Sequence, residues 1–306
     1  MRNVYLGTSE FAATVLRRLA DSQHRPVLVV TRPPRPKGRG RTLQHPPVAE
    51  AADTLGIELF QPVDVNGPES VERIRATNPA ALTVCAYGAI VKEPLLSAWP
   101  IFNVHPSLLP RWRGAAPVER AIAAGDQQTG VSIMRLVEAL DAGPVCAQTA
   151  IPIDDRNYGE LASELADLGG EMLVEALDAH ESGTIAWTDQ SEMGGEVAVT
   201  YAEKIERDDR VLKPGTSTAG ALIATVRALN PHIGAVLQTV GGDPLRVEDA
   251  RPADASVPSG KAIELDGRLL VGASDGAIEL LRVKPAGGKT MDVESYLRGN
   301  DVPQLA

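Results

Sequence analysis

Asn3-Val4-Tyr5-Leu6-Gly7-Thr8-Ser9-Glu10-Phe11-Ala12 begins as a short apolar strand, turns at Gly7 and enters a helix that Thr8 or Ser9 can cap. Phe11, Val15 and Leu19, four apart, carry the helical period. Outward from this unit the alternation repeats. Val27 to Thr31 is a β-branched strand run, Pro46 to Leu55 and Glu69 to Thr77 read as helices, and Leu82-Thr83-Val84-Cys85-Ala86 is a second buried-strand run. Ile101 to Val104, a short helix near Val118 to Ala124, and the strands Val131 to Leu136 and Val145 to Ile153 continue the series. Continuous apolar strands joined by helices predict an α/β fold, a doubly wound, mostly parallel, Rossmann-like sheet covered on both faces.

The same opening turn excludes one chemistry. Gly7-Thr8-Ser9-Glu10-Phe11-Ala12 lacks the further glycines that let a backbone approach a pyrophosphate, so no NAD or FAD is expected. Gly288-Lys289-Thr290 imitates the end of a phosphate loop, but Val283 stands where its first glycine belongs.

Beyond a helix from Tyr158 to His180 and a polar stretch from Ile185 to Arg207, the chain changes character. After a helix face of Leu222, Val226 and Leu229, short strands crowd together at Ala235–Val240, Leu245–Glu248, Lys261–Leu265, Arg268–Val271 and Ala277–Val283. Gly241-Gly242-Asp243, Asp266-Gly267 and Asp275-Gly276 punctuate them. They predict a small antiparallel β-barrel, with the OB-like barrel as one candidate. The expected division is residues 1–184, a linker at 185–207, and 208–306.

The 306 residues carry a net charge of −10, which argues against general nucleic-acid binding. Cys85 and Cys146 sit in apolar runs without neighbouring ligands, so neither a disulfide scaffold nor a metal site is expected. Met1-Arg2-Asn3 leads directly into a strand, and the longest apolar run, Ala80 to Val91, is far shorter than the roughly 20 residues of a membrane span. A cytoplasmic protein without a membrane segment is expected, and a monomer, since no exposed apolar stripe is evident.

Ile101-Phe102-Asn103-Val104-His105-Pro106-Ser107-Leu108-Leu109-Pro110 holds the chemistry. On a strand, Asn103 and His105 share a face, at the carboxyl end of a parallel sheet where α/β folds bind ligands. Further on, Leu140-Asp141-Ala142-Gly143-Pro144 precedes a strand. Taken singly these are an ordinary core histidine and turn residues. Together they can donate to a carbonyl oxygen gaining charge, move a proton near neutral pH, and orient the imidazole. No Ser or Cys nucleophile with its own base accompanies them, which favours direct attack by one substrate on another.

Asn103-x-His105-x-Ser107-Leu108-Leu109-Pro110 followed by Arg111-Trp112-Arg113-Gly114-Ala115-Ala116-Pro117 resembles the signature of the folate-dependent formyltransferases, and specifically the branch that acts on initiator tRNA. Gly7 to Ala12, Ala86-Tyr87-Gly88, Thr129 to Met134, Leu140 to Gly143 and Thr200-Tyr201-Ala202-Glu203-Lys204-Ile205 match other motifs of that family in order, over nearly the whole chain. The resemblance implies transfer of a formyl group from 10-formyltetrahydrofolate to the α-amino group of methionine on initiator tRNA, with no metal. It implies that Asn103 and His105 stabilise an oxyanion, that Asp141 sets the charge state of His105 and assists proton removal, and that Ser107, Leu108, Leu109, Pro110, Ala86, Tyr87 and Gly88 line the folate pocket. The second domain would bind tRNA. Pro106, Val211-Leu212-Lys213 and His232 depart from the family pattern.

Arg32-Pro33-Pro34-Arg35-Pro36-Lys37-Gly38-Arg39-Gly40-Arg41 concentrates five cations and no acid in an acidic chain. Its proline and glycine content predicts a loop outside helix and sheet. Composition reads it as solvated, or as a phosphate contact suited to guanidinium groups. The resemblance implies that Arg35, Lys37, Arg39 and Arg41 meet the tRNA acceptor arm. Lys204, Arg227, Lys261, Arg268, Lys284 and Lys289 form either a tRNA track or a solvated face, and Lys204 is taken as a contact. Three rivals fit less well. A glycinamide-ribonucleotide formyltransferase leaves 208–306 unexplained, a sugar-nucleotide formyltransferase has no use for the basic run, and an RNA-binding barrel leaves Asn103, His105 and Asp141 idle.

Overall fold

The structure is a computed structural model that describes residues 1–37, 42–193 and 198–306. The chain packs into two compact units. The first comprises Met1–Gly114, Thr129–Ile151 and Ala162–Tyr201, and the second Ala115–Gln128, Pro152–Leu161 and Ala202–Ala306.

The first unit is built on a seven-stranded sheet in the order Val145–Pro152, Gln128–Arg135, Ile101–His105, Ala81–Cys85, Asn3–Gly7, Leu28–Val30, Leu59–Phe60. From Ile101–His105 to Leu59–Phe60 every pairing is parallel. Gln128–Arg135 joins antiparallel, with Asn103 opposite Met134 and His105 opposite Ser132. All residues of Asn3–Gly7, Ala81–Cys85 and Ile101–His105 are buried, as continuous apolar runs covered on both faces require.

The first helix, Glu10–Ala20, is capped by Ser9, whose Oγ accepts from the Ala12 N–H at 3.2 Å, and buries Val15, Leu16 and Leu19. A Cβ at Gly7 would lie 2.7 Å from the Tyr5 ring and 2.9 Å from Ala12, so strand and helix meet this closely only around glycine. Thr8 instead donates to the Tyr87 carbonyl at 2.7 Å, pinning the first turn to the next strand's exit. On the same side of the sheet, beside the first helix, the Tyr158–Glu181 helix brings Gly169 against Val104, where an added Cβ would sit 2.7 Å from the valine.

The basic run departs from the loop expected of it. Arg35–Lys37 pairs antiparallel with Thr42–Gln44, Arg35 opposite Gln44 and Pro36 opposite Leu43. A two-stranded ribbon is all edge, and an edge tolerates a proline that lacks an N–H. Composition alone does not reveal this partner.

In the second unit, helix Pro117–Ala123 packs against helix Ala219–Leu229, whose cap Thr218 accepts from the Ala221 N–H at 3.1 Å. An antiparallel sheet runs Ala235–Leu237, Leu245–Ala253, Ala277–Lys284, Arg268–Gly272, Ala262–Leu265, and Met291–Asp292 pairs with Ala277–Lys284. Asp266 and Gly267, at φ 52° and 74°, form the two-residue turn their sequence predicts. Leu245–Ala253 runs well past the expected Glu248, through register shifts at Val247–Ala250. Asp249 to Ala253 has no strand-like pattern of its own, and pairing with Ala277–Lys284 supplies what propensity does not. Among the described residues no helix is long and apolar enough to cross a membrane.

Candidate active site

Asn103 and His105 lie on one face of a strand flanked on both sides, and are 8% and 4% exposed. Phe102, on the other face, meets the rings of His180 and Trp187 at 5.3 and 5.6 Å. An apolar back thus fixes the strand while its front carries the polar pair.

The His105 Nε2 lies 2.9 Å from the Trp112 carbonyl. A carbonyl only accepts, so Nε2 carries the proton and the Nδ1 side is left for exchange. Nδ1 faces Asp141 Oδ2 at 3.8 Å, a charge-pairing distance too long for a hydrogen bond. The same Oδ2 accepts from the Gly114 N–H at 2.8 Å. Residues 112–114 therefore touch both partners, and are themselves held by Thr200, which accepts from Trp112 N–H through Oγ1 and from Arg113 N–H through its carbonyl, both at 2.9 Å. Trp112 and Asp141 both take left-handed backbone angles, φ 63° and 45°. Such angles in bulky or charged residues persist only where the surroundings over-determine them.

Asn103 differs from its neighbours. Among the described residues nothing hydrogen-bonds its carboxamide, and its polar atoms are not sealed from solvent. A buried amide costs free energy when unpaired, so this one is open to a ligand.

Ser107 to Pro110 leave the same strand. Ser107 and Leu109 are buried: the Ser107 Oγ donates to Arg111 O at 2.7 Å, and Leu109 packs with Met134 and Val145. Ser132 Oγ donates to the Ser107 carbonyl at 2.7 Å, and Gln148 donates to the Leu109 carbonyl at 2.9 Å. Leu108 is half-buried and Pro110 buried. Ala86 to Gly88 leave the adjacent parallel strand, so both segments border the Asn103 face. Ala86 (φ 41°) and Gly88 (φ 75°) are exposed, and a Cβ on Gly88 would meet nothing within 4 Å. Open space above a left-handed turn suits a flat ring laid on backbone. Tyr87 points the other way, into the core with Val84 and Val91, and burial, with Asp64 nearby, pushes its phenol up to about 12.

The basic positions are placed in part. Arg32 donates to the Gly88 carbonyl at 2.6 Å, Arg35 is exposed on the ribbon, and Lys37 pairs there through its backbone. Arg39 and Arg41, with Gly38 and Gly40, lie outside the described residues. Lys204 is exposed in the second unit. Among the described residues no cluster of His, Cys, Asp or Glu is arranged to hold a metal. Cys85 and Cys146 are free thiols, and burial pushes them up to about 12 and about 11. Sequence reasoning misses Gln190, because a polar stretch gives no periodic signal for a buried amide, and it marks Thr200 only as part of a matched motif, not as a contact to this site.

A doubly wound sheet whose carboxyl edge presents an unengaged amide and a His–Asp pair offers a hydrogen-bond donor, a proton acceptor and a carboxylate at one place. Residues 1–177 match the family model described as formyl transferase, and residues 204–301 match that of the formyl transferase C-terminal domain. A methionyl-tRNA formyltransferase of Halorhodospira halophila is 44% identical over 97% of this chain and 96% of its own length. Two solved structures share the fold. One is HypX from Aquifex aeolicus in complex with tetrahydrofolic acid (TM-score 0.66, 18% identity, 97% of this chain and 47% of that one). The other is an N-formyltransferase from Helicobacter canadensis, in complex with folinic acid and dTDP-3-aminofucose (TM-score 0.65, 13% identity, 91% of this chain and 98% of that one). The chain belongs to the formyl transferase family, among the methionyl-tRNA formyltransferases.

Proposed function

We propose that this protein transfers the formyl group of 10-formyltetrahydrofolate to the α-amino group of methionine on initiator tRNA, and that Asn103, His105 and Asp141 perform the transfer. The observation that carries the assignment of roles is the unengaged Asn103 carboxamide on the same strand face as a histidine whose Nε2 is held by the Trp112 carbonyl and whose Nδ1 faces Asp141. The full-length likeness to methionyl-tRNA formyltransferases supports the choice of acceptor.

10-Formyltetrahydrofolate supplies a formyl carbon activated for attack by an amine. Asn103 donates to the formyl oxygen as that oxygen gains negative charge, a contribution worth roughly a hundredfold to a thousandfold in rate. His105, its Nε2–H held by the Trp112 carbonyl, presents Nδ1 for the proton that the attacking amine gives up, and Asp141 stabilises the resulting imidazolium. One proton leaves the amine, one is gained by the folate nitrogen, and one carbon–nitrogen bond forms as another breaks. Ala86, Gly88 and Leu108 to Pro110 border the folate, with Ser107 and Tyr87 supporting that border from within. Arg35, Lys37, Arg39, Arg41 and Lys204 contact tRNA phosphates, and a basic run on a chain of net charge −10 favours one pose because the remainder repels phosphate. Initiator methionyl-tRNA and tetrahydrofolate are its partners, and it works as a monomer in the cytoplasm.

The test is formylation of Met-tRNA with 10-formyltetrahydrofolate, alongside glycinamide ribonucleotide and amino-sugar nucleotides. Wild type should use Met-tRNA alone, and Arg39→Ala should raise the KM for tRNA and flatten its salt dependence by about one unit of slope. Turnover of an amino-sugar nucleotide without turnover of Met-tRNA would move the acceptor to that class.

A further inference from the structure

Gln190 lies in the polar stretch between the Tyr158–Glu181 helix and Tyr201, where nothing in the sequence marks it, yet it is only 6% exposed. All of its hydrogen-bonding capacity is engaged. Its Nε2 donates to the carbonyls of Asp141 and Gly143, both at 2.8 Å. Its Oε1 accepts from Arg113 Nε at 3.0 Å and Arg113 Nη2 at 2.7 Å.

These partners stand at the two ends of the reacting pair. Arg113 lies between Trp112, whose carbonyl holds His105 Nε2, and Gly114, whose N–H holds Asp141 Oδ2. The other end of Gln190 grips the backbone of Asp141 itself, in its left-handed conformation. Just beyond, the turn is pressed so closely on the neighbouring strand that a Cβ at Gly143 would sit 1.8 Å from the Arg135 carbonyl. A turn held this tightly relays small displacements of its carbonyls to the Asp141 carboxylate. One amide therefore links the backbone that holds His105 to the backbone that carries Asp141.

We infer that Gln190 is a positioning residue for formyl transfer, setting the separation of His105 Nδ1 and Asp141 Oδ2 through Arg113 on one side and the 141–143 turn on the other. This rests on the roles proposed above for His105 and Asp141. A purely structural tie would lower stability and leave turnover per folded molecule untouched. A positioning residue lowers kcat while both KM values hold, because it touches neither substrate, and it alters the pH dependence of kcat because the imidazole–carboxylate spacing changes.

The experiment measures kcat, both KM values, the pH profile of kcat and the thermal midpoint for wild type, Gln190→Met, Gln190→Glu, Arg113→Lys and His105→Ala. Gln190→Met keeps the length and removes every bond, Gln190→Glu keeps the acceptor toward Arg113 and removes the donors, and Arg113→Lys keeps the charge and loses the fork. Gln190→Met and Gln190→Glu should lower kcat roughly ten- to a hundredfold with both KM values nearly unchanged, as a misplacement of about an ångström does, and should shift the pH profile. Arg113→Lys should show the same pattern more weakly, and it carries the test if the Gln190 variants do not fold. In a His105→Ala background, Gln190→Met should cost nothing further, whereas independent residues would multiply. Full kcat in folded Gln190→Met or, failing that, in Arg113→Lys, with His105→Ala slowed about a thousandfold, overturns this inference alone. Wild type without turnover of Met-tRNA overturns the functional reading instead.

Discussion

Glu279 on the carboxyl-terminal sheet and Asn103 on the amino-terminal sheet are buried to a similar degree, 6% and 8% exposed, but are surrounded in opposite ways. Glu279 sits opposite Arg251 in the ladder, and its Oε2 accepts from Arg251 at 2.9 Å and from Arg268 at 2.6 Å. Those hydrogen bonds, Arg268's foremost, hold its carboxyl below its ordinary value of 4.5. The carboxylate is thus engaged by two guanidinium groups, although the Arg268 Nε–H is buried without a partner among the described residues. Around Asn103, by contrast, the amide is unengaged, the neighbouring His–Asp pair stands 3.8 Å apart, and two backbone angles are left-handed. Engaged carboxylates stabilise a fold. Slack polar groups, held in shape from behind, leave capacity for a substrate.

Four variants would break or sharpen that contrast. The largest effect belongs to His105→Ala, which should slow formyl transfer about a thousandfold in single-turnover measurements while the thermal midpoint moves little. Asn103→Ala should follow, at roughly a hundredfold to a thousandfold, again with stability intact. A loss of stability without a loss of rate would put Asn103 with Glu279. Glu279→Gln should do the reverse, destabilising the chain by about 2 kcal/mol in denaturant titrations and leaving kcat unchanged. Because the folded carboxyl lies below 4.5, its contribution is complete above that pH and vanishes as pH falls through the lower folded-state value. Wild type should therefore lose more stability than Glu279→Gln between about pH 5 and pH 3. Arg251→Ala should have the smallest effect, under about 1 kcal/mol, since Arg251 is 59% exposed and Arg268 remains.

What the sequence makes legible follows the same division. The parallel sheet is readable because its strands are largely apolar runs, and the Asp266-Gly267 turn because only certain residues tolerate its angles. Asn103 and His105 are readable because a strand's period places them on one face. The second half of Leu245–Ala253 is not, because partner strands rather than local pattern make it a strand. The Arg35–Lys37 ribbon is hidden by its prolines, which look like loop residues until an edge accommodates them. Gln190, and the contacts that Thr200 makes, are hidden for a further reason. A polar residue in a polar stretch becomes a keystone only through what lies across from it, and those contacts span 47 to 88 positions of sequence.

The way the chain is shared between its two units limits where a gene encoding it can be cut. Ala115–Gln128 and Pro152–Leu161 belong by packing to the carboxyl-terminal unit although they precede it in sequence. There Arg120 bonds Asp209 at 2.9 Å, and His232 stacks on Tyr158 at 3.7 Å while reaching Glu119 at 3.0 Å. A stop codon near residue 203 would leave Val118 and Ile122 on the Pro117–Ala123 helix without the Ala219–Leu229 helix that covers them. A fragment beginning there would in turn lack Glu119, Arg120 and Tyr158. Neither half is a transplantable module. Recombination between relatives should succeed only when residues 115–128 and 152–161 travel together with 202–306.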